Sequence, residues 1–238
     1  MRVLLDRTSR VHAQSRSHGN LRSSALFRAR AREPREEGHE HRLHGMGEPF
    51  HNYDAVMDAV RLLADPKGFG LGHRHITIST VGLVPQIDRF SGEGLQVNLA
   101  ISLHAPSDEL RSRIMPVNRR YKLDELMAAC GRYIARTNRK IFFEYVMLAG
   151  VNDTTECARA LAALMHGPLY HVNLIPYNST PDGDFQGTSD AGIKAFKREL
   201  EMRGTVATIR VPMGRDIAAA CGQLRAQTQP KVKLAIAE

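Results

Sequence analysis

The feature that most narrows what this chain can fold into is the alternation of two hydrophobic periods along it. Five strand-length apolar runs recur: His75 to Thr80 (HITIST), Val97 to Leu103 (VNLAISL), Lys140 to Leu148 (KIFFEYVML), Val172 to Pro176, and Val206 to Val211. Helical patterns occupy much of the remainder. Tyr53 to Ala64 places Ala55, Val56, Val60 and Leu63 on one face, with Asn52 positioned to cap its first turn. Lys122 to Thr137 turns Leu123, Leu126 and Met127 inward, and Thr154 to Met165, Ala191 to Met202 and Asp216 to Leu224 also read as helices. Strands that alternate with helices imply parallel βα units joined by right-handed crossovers. Strands this continuously apolar predict a sheet covered by helices or a partial barrel.

Residues 1–44 break the pattern. They hold ten arginines, five acids and no lysine, so five of the eight net positive charges sit in this head and only three in residues 45–238. Five of the 11 histidines are here too, and the apolar runs are as short as Val3 to Leu5, offering little to a core. The expectation is an irregular, mostly unpacked head. An organelle transit peptide or a basic arm for RNA phosphates are alternative readings. The favoured one is a frameshifted start, because Arg, Ala, His and Gly bias is what a GC-rich gene yields out of frame.

Three cysteines, an odd number, exclude a disulfide scaffold and fit a reducing cytoplasm. No uninterrupted apolar stretch reaches the length that spans a membrane. A P-loop and a G-x-S-x-G nucleophile turn are absent, and Gly68 to Gly72 lacks dinucleotide spacing. In parallel βα folds ligands bind at the carboxyl ends of the strands. Gly45-Met46-Gly47-Glu48-Pro49 opens the regular region, where glycines permit close backbone approach and a carboxylate can hold an ammonium. Ser79 ends the first long strand, Ser102 and His104 the second, and Asn178 follows Ile175-Pro176-Tyr177. A lone residue of this kind is ordinarily a cap; several together favour a ligand.

The runs GMGEPFHNYDAVMDAVRLLADPKGFGLGHRHITISTVGLVPQI, LQVNLAISLHAPSDELRSRIMPVNRRYKLDELMAAC, FEYVMLAGVND, HVNLIPYN and GRDIAAACGQL resemble the RlmN-type 23S rRNA adenine-C2 methyltransferases. These are radical S-adenosylmethionine enzymes, with the adenine-C8 methyltransferases as close relatives. The resemblance spans Gly45 to about Arg225. It implies that Gly47, Glu48, Ser79, Ser102, Leu103, His104 and Asn178 contact S-adenosylmethionine. It also implies that Cys221 is the cysteine the family methylates and then uses as carbon donor, since an aromatic C2 is not nucleophilic. In the family's mechanism, a second cofactor is reductively cleaved to a radical that abstracts hydrogen from the S-methyl group. The substrate implied is RNA, 23S rRNA with tRNA as an alternative, for a cytoplasmic monomer.

One departure matters. The family holds a four-iron four-sulfur cluster on C-x-x-x-C-x-x-C, ahead of the Gly-Glu-Pro segment. Here the cysteines stand at 130, 157 and 221 and no metal ligand set is identified; Cys130 and Cys157 read as small core residues. The expected fold is therefore an α/β partial radical-SAM (β/α)6-type barrel over residues 45–238, with the first strand and cluster loop missing and Arg42-Leu43-His44 a poor lead into Gly45. The expected chain is inactive as written. The alternatives are a noncatalytic RNA- or SAM-binding remnant, an adenine-C8 relative, or a metal-dependent hydrolase using His39, His41, His44, His73 and His75. Arg111, Arg113, Arg119, Arg120 and Lys122 around Asn118 read either as phosphate contacts or as an exposed polar loop.

Overall fold

The computed structural model describes residues 47–179 and 185–210 in full, together with the backbone of four strands nearer the amino terminus. Three of these, β1 (Arg2–Asp6), β2 (Arg10–Gln14) and β3 (Leu26–Phe27), form an antiparallel sheet within the head. The fourth, β4 (His41–Leu43), belongs to the main sheet and pairs in parallel with β5 (Ile76–Thr80). The strand leading toward Gly45 is thus present, although only three residues long. Beyond β5 follow β6 (Asn98–Ser102), β7 (Ile141–Met147), β8 (Tyr170–Pro176) and β9 (Ala207–Ile209), all parallel.

The spatial order equals the chain order, β4-β5-β6-β7-β8-β9. A right-handed crossover that always advances in one direction puts every helix on the same side of the sheet. The helices are α1 (Tyr53–Ala64), α2 (Val84–Ser91), α3 (Asp108–Ile114), α4 (Leu123–Thr137), α5 (Thr155–Leu164) and α6 (Asp190–Met202). Under them the sheet buries Ile76, Ile78, Leu99, Ile101, Ile141, Phe143, Tyr145, Met147, Val172 and Leu174, each at most 1% exposed. Truncating one such aromatic, Phe143→Ala, costs about 3–5 kcal/mol in a core of this kind.

The five strands read from the sequence and four of the helices lie where their periods predict, although β9 is only three residues long. Asn52 makes no side-chain cap, because a 3-10 turn, Pro49–Asn52, runs directly into α1 and Glu48 caps that turn instead. The sequence reading missed α2 and α3, which are eight and seven residues long, too short for a stripe to stand out. The helix expected at Asp216 to Leu224 and Cys221 lie outside the described residues.

Candidate functional site

Side chains on a strand alternate between its faces, so the residues between the buried set must point away from the helices. Register aligns them into rows: Thr77 beside Asn98, Ser79 beside Ala100, Ser102 beside Glu144, Glu144 beside Asn173, and Asn173 beside Thr208. This face is polar. A parallel sheet ordinarily hides both faces under helices; one that is apolar outside and polar inside has the character of a barrel wall, with the inner face lining a lumen. The strands therefore alternate rather than running continuously apolar as the sequence suggested.

The carboxyl-terminal rim of this wall collects the expected residues. Gly47 adopts φ +114°, a conformation that any side chain would strain. The Glu48 carboxylate accepts from Phe50 N (3.0 Å) and Thr80 Oγ1 (2.6 Å) through Oε1 and from Val81 N (2.7 Å) through Oε2. Three of its roughly four acceptor positions are thereby taken. Glu48 thus ties the Gly-Glu-Pro turn to the end of β5, and its side chain has little capacity left for the ammonium foreseen from the sequence. Ser79 and Ser102 are half-buried on the polar face, and among the described residues neither hydroxyl has a hydrogen-bond partner. Ser79 pairs with Ala100, two residues before Ser102, so the serines stand about 8 Å apart at ordinary strand spacing. Asn178 lies just past β8, half-buried.

Leu103 and His104 turn the chain out of β6. His104 holds φ +58°, rare for a residue with a side chain. Its ring Nδ1 accepts from the Val146 amide at 3.2 Å. A backbone amide is always a donor, so Nδ1 is unprotonated and the proton of the neutral ring resides on Nε2. Burial, reinforced by the nearby Arg111 charge, pushes the imidazole pKa down to about 4, leaving it neutral at pH 7. Arg111 itself is 0% exposed. It donates to the carbonyls of Val81 (2.7 Å), Ser102 (3.2 Å) and Leu103 (3.2 Å) and to Asn118 Oδ1 (3.0 Å), gathering the ends of β5 and β6. Burial lowers its pKa to about 10, so it remains a cation.

Deeper on the same face a chain of hydrogen bonds converges on Glu144. His171 Nε2 lies 3.0 Å from Thr208 Oγ1, which donates to Asn173 Oδ1 (2.7 Å); Asn173 Nδ2 donates to Glu144 Oε1 (3.2 Å). Arg210 completes it by donating to Glu144 Oε2 at 3.3 Å. The sequence reading named none of these residues. Part of the signal was present, since Asn98 and Ser102 share one face of VNLAIS and His171 and Asn173 one face of HVNLIP, while FFEYVM shows only Glu144.

One expectation needs correction, while the side chains of His39, His41 and His44 lie outside the described residues. Arg111 and Asn118, proposed as part of a phosphate-contacting cluster, are both 0% exposed. Asn118 accepts from Arg111 and donates to Asp108 and Ser112, so the pair braces α3 against its neighbours. His73 and His75 open the segment into β5, at the amino-terminal end of the strand and away from the rim. Among the described residues no group of three metal-ligating side chains occurs. Cys130 is fully buried on α4, its thiol pushed up to about 12 by burial, as the core reading requires; Cys157 on α5 is only partly buried.

The wall, the rim and the one-sided helices are the architecture of a known superfamily. The family model described as "Radical SAM superfamily" matches residues 8–161, and the chain belongs to that superfamily. The matched span begins inside the head that the sequence reading set apart. Among individual proteins, the chain is 52% identical over 183 residues to a probable dual-specificity RNA methyltransferase RlmN of Caldanaerobacter subterraneus, covering 77% of this chain and 54% of that protein. It is 51% identical over 183 residues to one named the same in Lysinibacillus sphaericus, covering 77% and 48%. A crystal structure of a radical SAM methyltransferase from Sphaerobacter thermophilus superposes with a TM-score of 0.74 at 53% identity, covering 76% of this chain and 53% of that one. A domain of a pyruvate-formate lyase-activating enzyme from Bacteroides vulgatus shares the fold, with a TM-score of 0.55 at 17% identity over 73% of this chain and all of that one. The chain spans about half the length of the curated relatives it matches.

Proposed function

We propose that this chain carries the S-adenosylmethionine-binding wall of an RlmN-type RNA methyltransferase. The target is adenine C2 of 23S rRNA, with tRNA as a second substrate, and Cys221 is the methyl-carrying thiol. The observation that carries the reading is the pair of serine hydroxyls, Ser79 and Ser102, which have no hydrogen-bond partner among the described residues on the inner face. Identity above 50% to proteins named RNA methyltransferases, across three quarters of the chain, supports the same reading.

The residues present fit S-adenosylmethionine. Peptide groups at Gly47 and Glu48 suit its amino acid end, while Ser79, Ser102, the Nε2–H of His104 and Asn178 offer neutral polar contacts that impose no counter-charge on a sulfonium. The cofactor when bound supplies a transferable methyl group. The protein's part is to hold it against the rim and keep His104 neutral.

They do not fit an iron–sulfur cluster. Thiolate ligation needs clustered, ionisable cysteines, whereas Cys130 is sealed beneath α4 with a raised pKa and Cys157 belongs to α5 on the outer layer. The chain as written therefore binds the cofactor without cleaving it. Isothermal titration of the 238-residue chain with S-adenosylmethionine tests this: binding is expected, weakened about tenfold by the double variant Ser79→Ala and Ser102→Ala. Absence of binding by a folded wild-type chain overturns the reading.

A further inference from the structure

β7 outruns its neighbour. β6 stops at Ser102, whose register partner is Glu144, while β7 continues to Met147. The inner edge of β7 beyond Glu144 thus has no strand beside it, and its backbone groups need other partners. Two side chains provide them. The Val146 amide donates to His104 Nδ1 (3.2 Å), and the Val146 carbonyl accepts from Asn152 Nδ2 at 2.7 Å.

Asn152 is the less obvious of the two. It lies in the Gly-Val-Asn-Asp turn after β7 and is 0% exposed. Every atom of its carboxamide is committed: Oδ1 accepts from Leu148 N (2.8 Å), and Nδ2 donates both to Val146 O and to His104 O (2.8 Å). Its own carbonyl accepts from Tyr145 Oη at 2.8 Å. The orientation of the amide is fixed, because reversing it would set an oxygen against two carbonyls and an NH2 against an N–H. Asp lacks the two donors, Ser and Thr have one, and Gln is a methylene too long. The same turn is pinned by Asp153, which accepts from Gly150 N (2.9 Å) and Thr188 Oγ1 (2.8 Å).

His104 is therefore clamped at three points: its carbonyl by Asn152, its amide on the Glu144 carbonyl (3.3 Å), and its ring on the Val146 amide. Such clamping is what a residue at φ +58° requires to persist. The Nε2 atom has no partner among the described residues and is not sealed from solvent.

We propose that Asn152 is a positioning residue of the cofactor site: its carboxamide locks the His104 peptide, so that the imidazole is presented at the rim as a fixed Nε2–H donor to the bound S-adenosylmethionine. The inference rests on the assignment of His104 to that cofactor's site, and two readouts separate the two ideas. The first needs no ligand and is read on the wild-type chain. Nitrogen-15 NMR of the ring, assigned with His104→Gln, is expected to show the Nε2–H form alone from pH 5 to 8; an Nδ1–H form or a titration near 6.5 overturns the clamp. The second is titration of S-adenosylmethionine into Asn152→Ala and Asn152→Asp, with circular dichroism confirming the fold. Both are expected to bind at least tenfold more weakly and to lose the single tautomer. If either folded variant binds like wild type, the positioning role is refuted. If the variants are unfolded, the wild-type tautomer decides alone. If the wild type shows the expected tautomer but binds no cofactor, the function assigned to the site has failed and the clamp has not.

Discussion

Replacing Arg111 by Met tests whether the rim is held from beneath by a buried cation. The guanidinium makes four hydrogen bonds, to the carbonyls of Val81, Ser102 and Leu103 and to Asn118 Oδ1, at 2.7 to 3.2 Å. No carboxylate lies within salt-bridge distance of it among the described residues; the carbonyls are its direct partners, and the more distant Asp108 carboxylate also favours its charge. Bonds to a charged donor are worth about 1.5–3 kcal/mol each, and an acceptor stranded in the interior loses at least about 1 kcal/mol. Four such bonds put the gross loss at roughly 6–12 kcal/mol. Against this stands the desolvation of a cation that Met does not require. The fall in the Arg111 pKa from 12.5 to about 10 sets that relief at about 3 kcal/mol. The expected net is a destabilisation of roughly 3–9 kcal/mol, large against a total stability of about 5–15 kcal/mol. Arg111→Lys keeps the charge but cannot reach four diverging acceptors from one head group, so it recovers only part of the loss. Urea unfolding of the 238-residue chain at pH 7, followed by far-ultraviolet circular dichroism, gives the number. An Arg111→Met variant within 1 kcal/mol of wild type would refute the idea that these carbonyls depend on the cation.

Two further outcomes are expected. His104 has its pKa lowered, chiefly by burial, so between pH 6.5 and about 4 the unfolded chain takes up a proton that the folded one refuses. Stability is therefore full above pH 6.5 and falls as the solution is acidified toward pH 4, by roughly 2 kcal/mol after allowing for partial exposure. Asn in its place flattens that part of the profile in pH-dependent urea melts, and an unchanged slope in His104→Asn removes the assignment. Anaerobic reconstitution of the chain with iron and sulfide is expected to leave less than stoichiometric iron and no charge-transfer absorption, whereas a full cluster would show that the cysteine argument is wrong.

The outer half of this fold was legible because hydrophobic period reports burial directly: Phe143, Tyr145 and Met147 alternate into the helical layer, and Val56, Val60 and Leu63 recur on α1. The rim residues Gly47, Ser79, Ser102, His104 and Asn178 were legible from strand ends and family resemblance together. What supports them was not. Arg111 sits in SDELRSRI, where a basic residue four positions after the Ser107 cap reads as a solvated face, yet it is the largest fully buried side chain. Asn152 sits in a Gly-Val-Asn-Asp turn, where Asn is expected for its backbone tolerance rather than for a carboxamide shared among three peptide groups. Such roles depend on which strand outlasts its neighbour, and that is decided by register between segments more than 40 residues apart in the chain.

The positioning bonds on the rim are drawn from within the described domain. Glu48 is held by Phe50, Thr80 and Val81; the Ser102 and Leu103 carbonyls by Arg111; His104 by Glu144, Val146 and Asn152. None of these bonds involves a cysteine. A site whose geometry is closed in this way does not need a cluster to hold its shape, because the hydrogen bonds that orient the ligand groups persist whether or not iron is present. Ligand binding and reductive cleavage therefore rest on separate sets of residues. On the proposed reading the first set is the one described at this rim, and neither Cys130 nor Cys157 belongs to it.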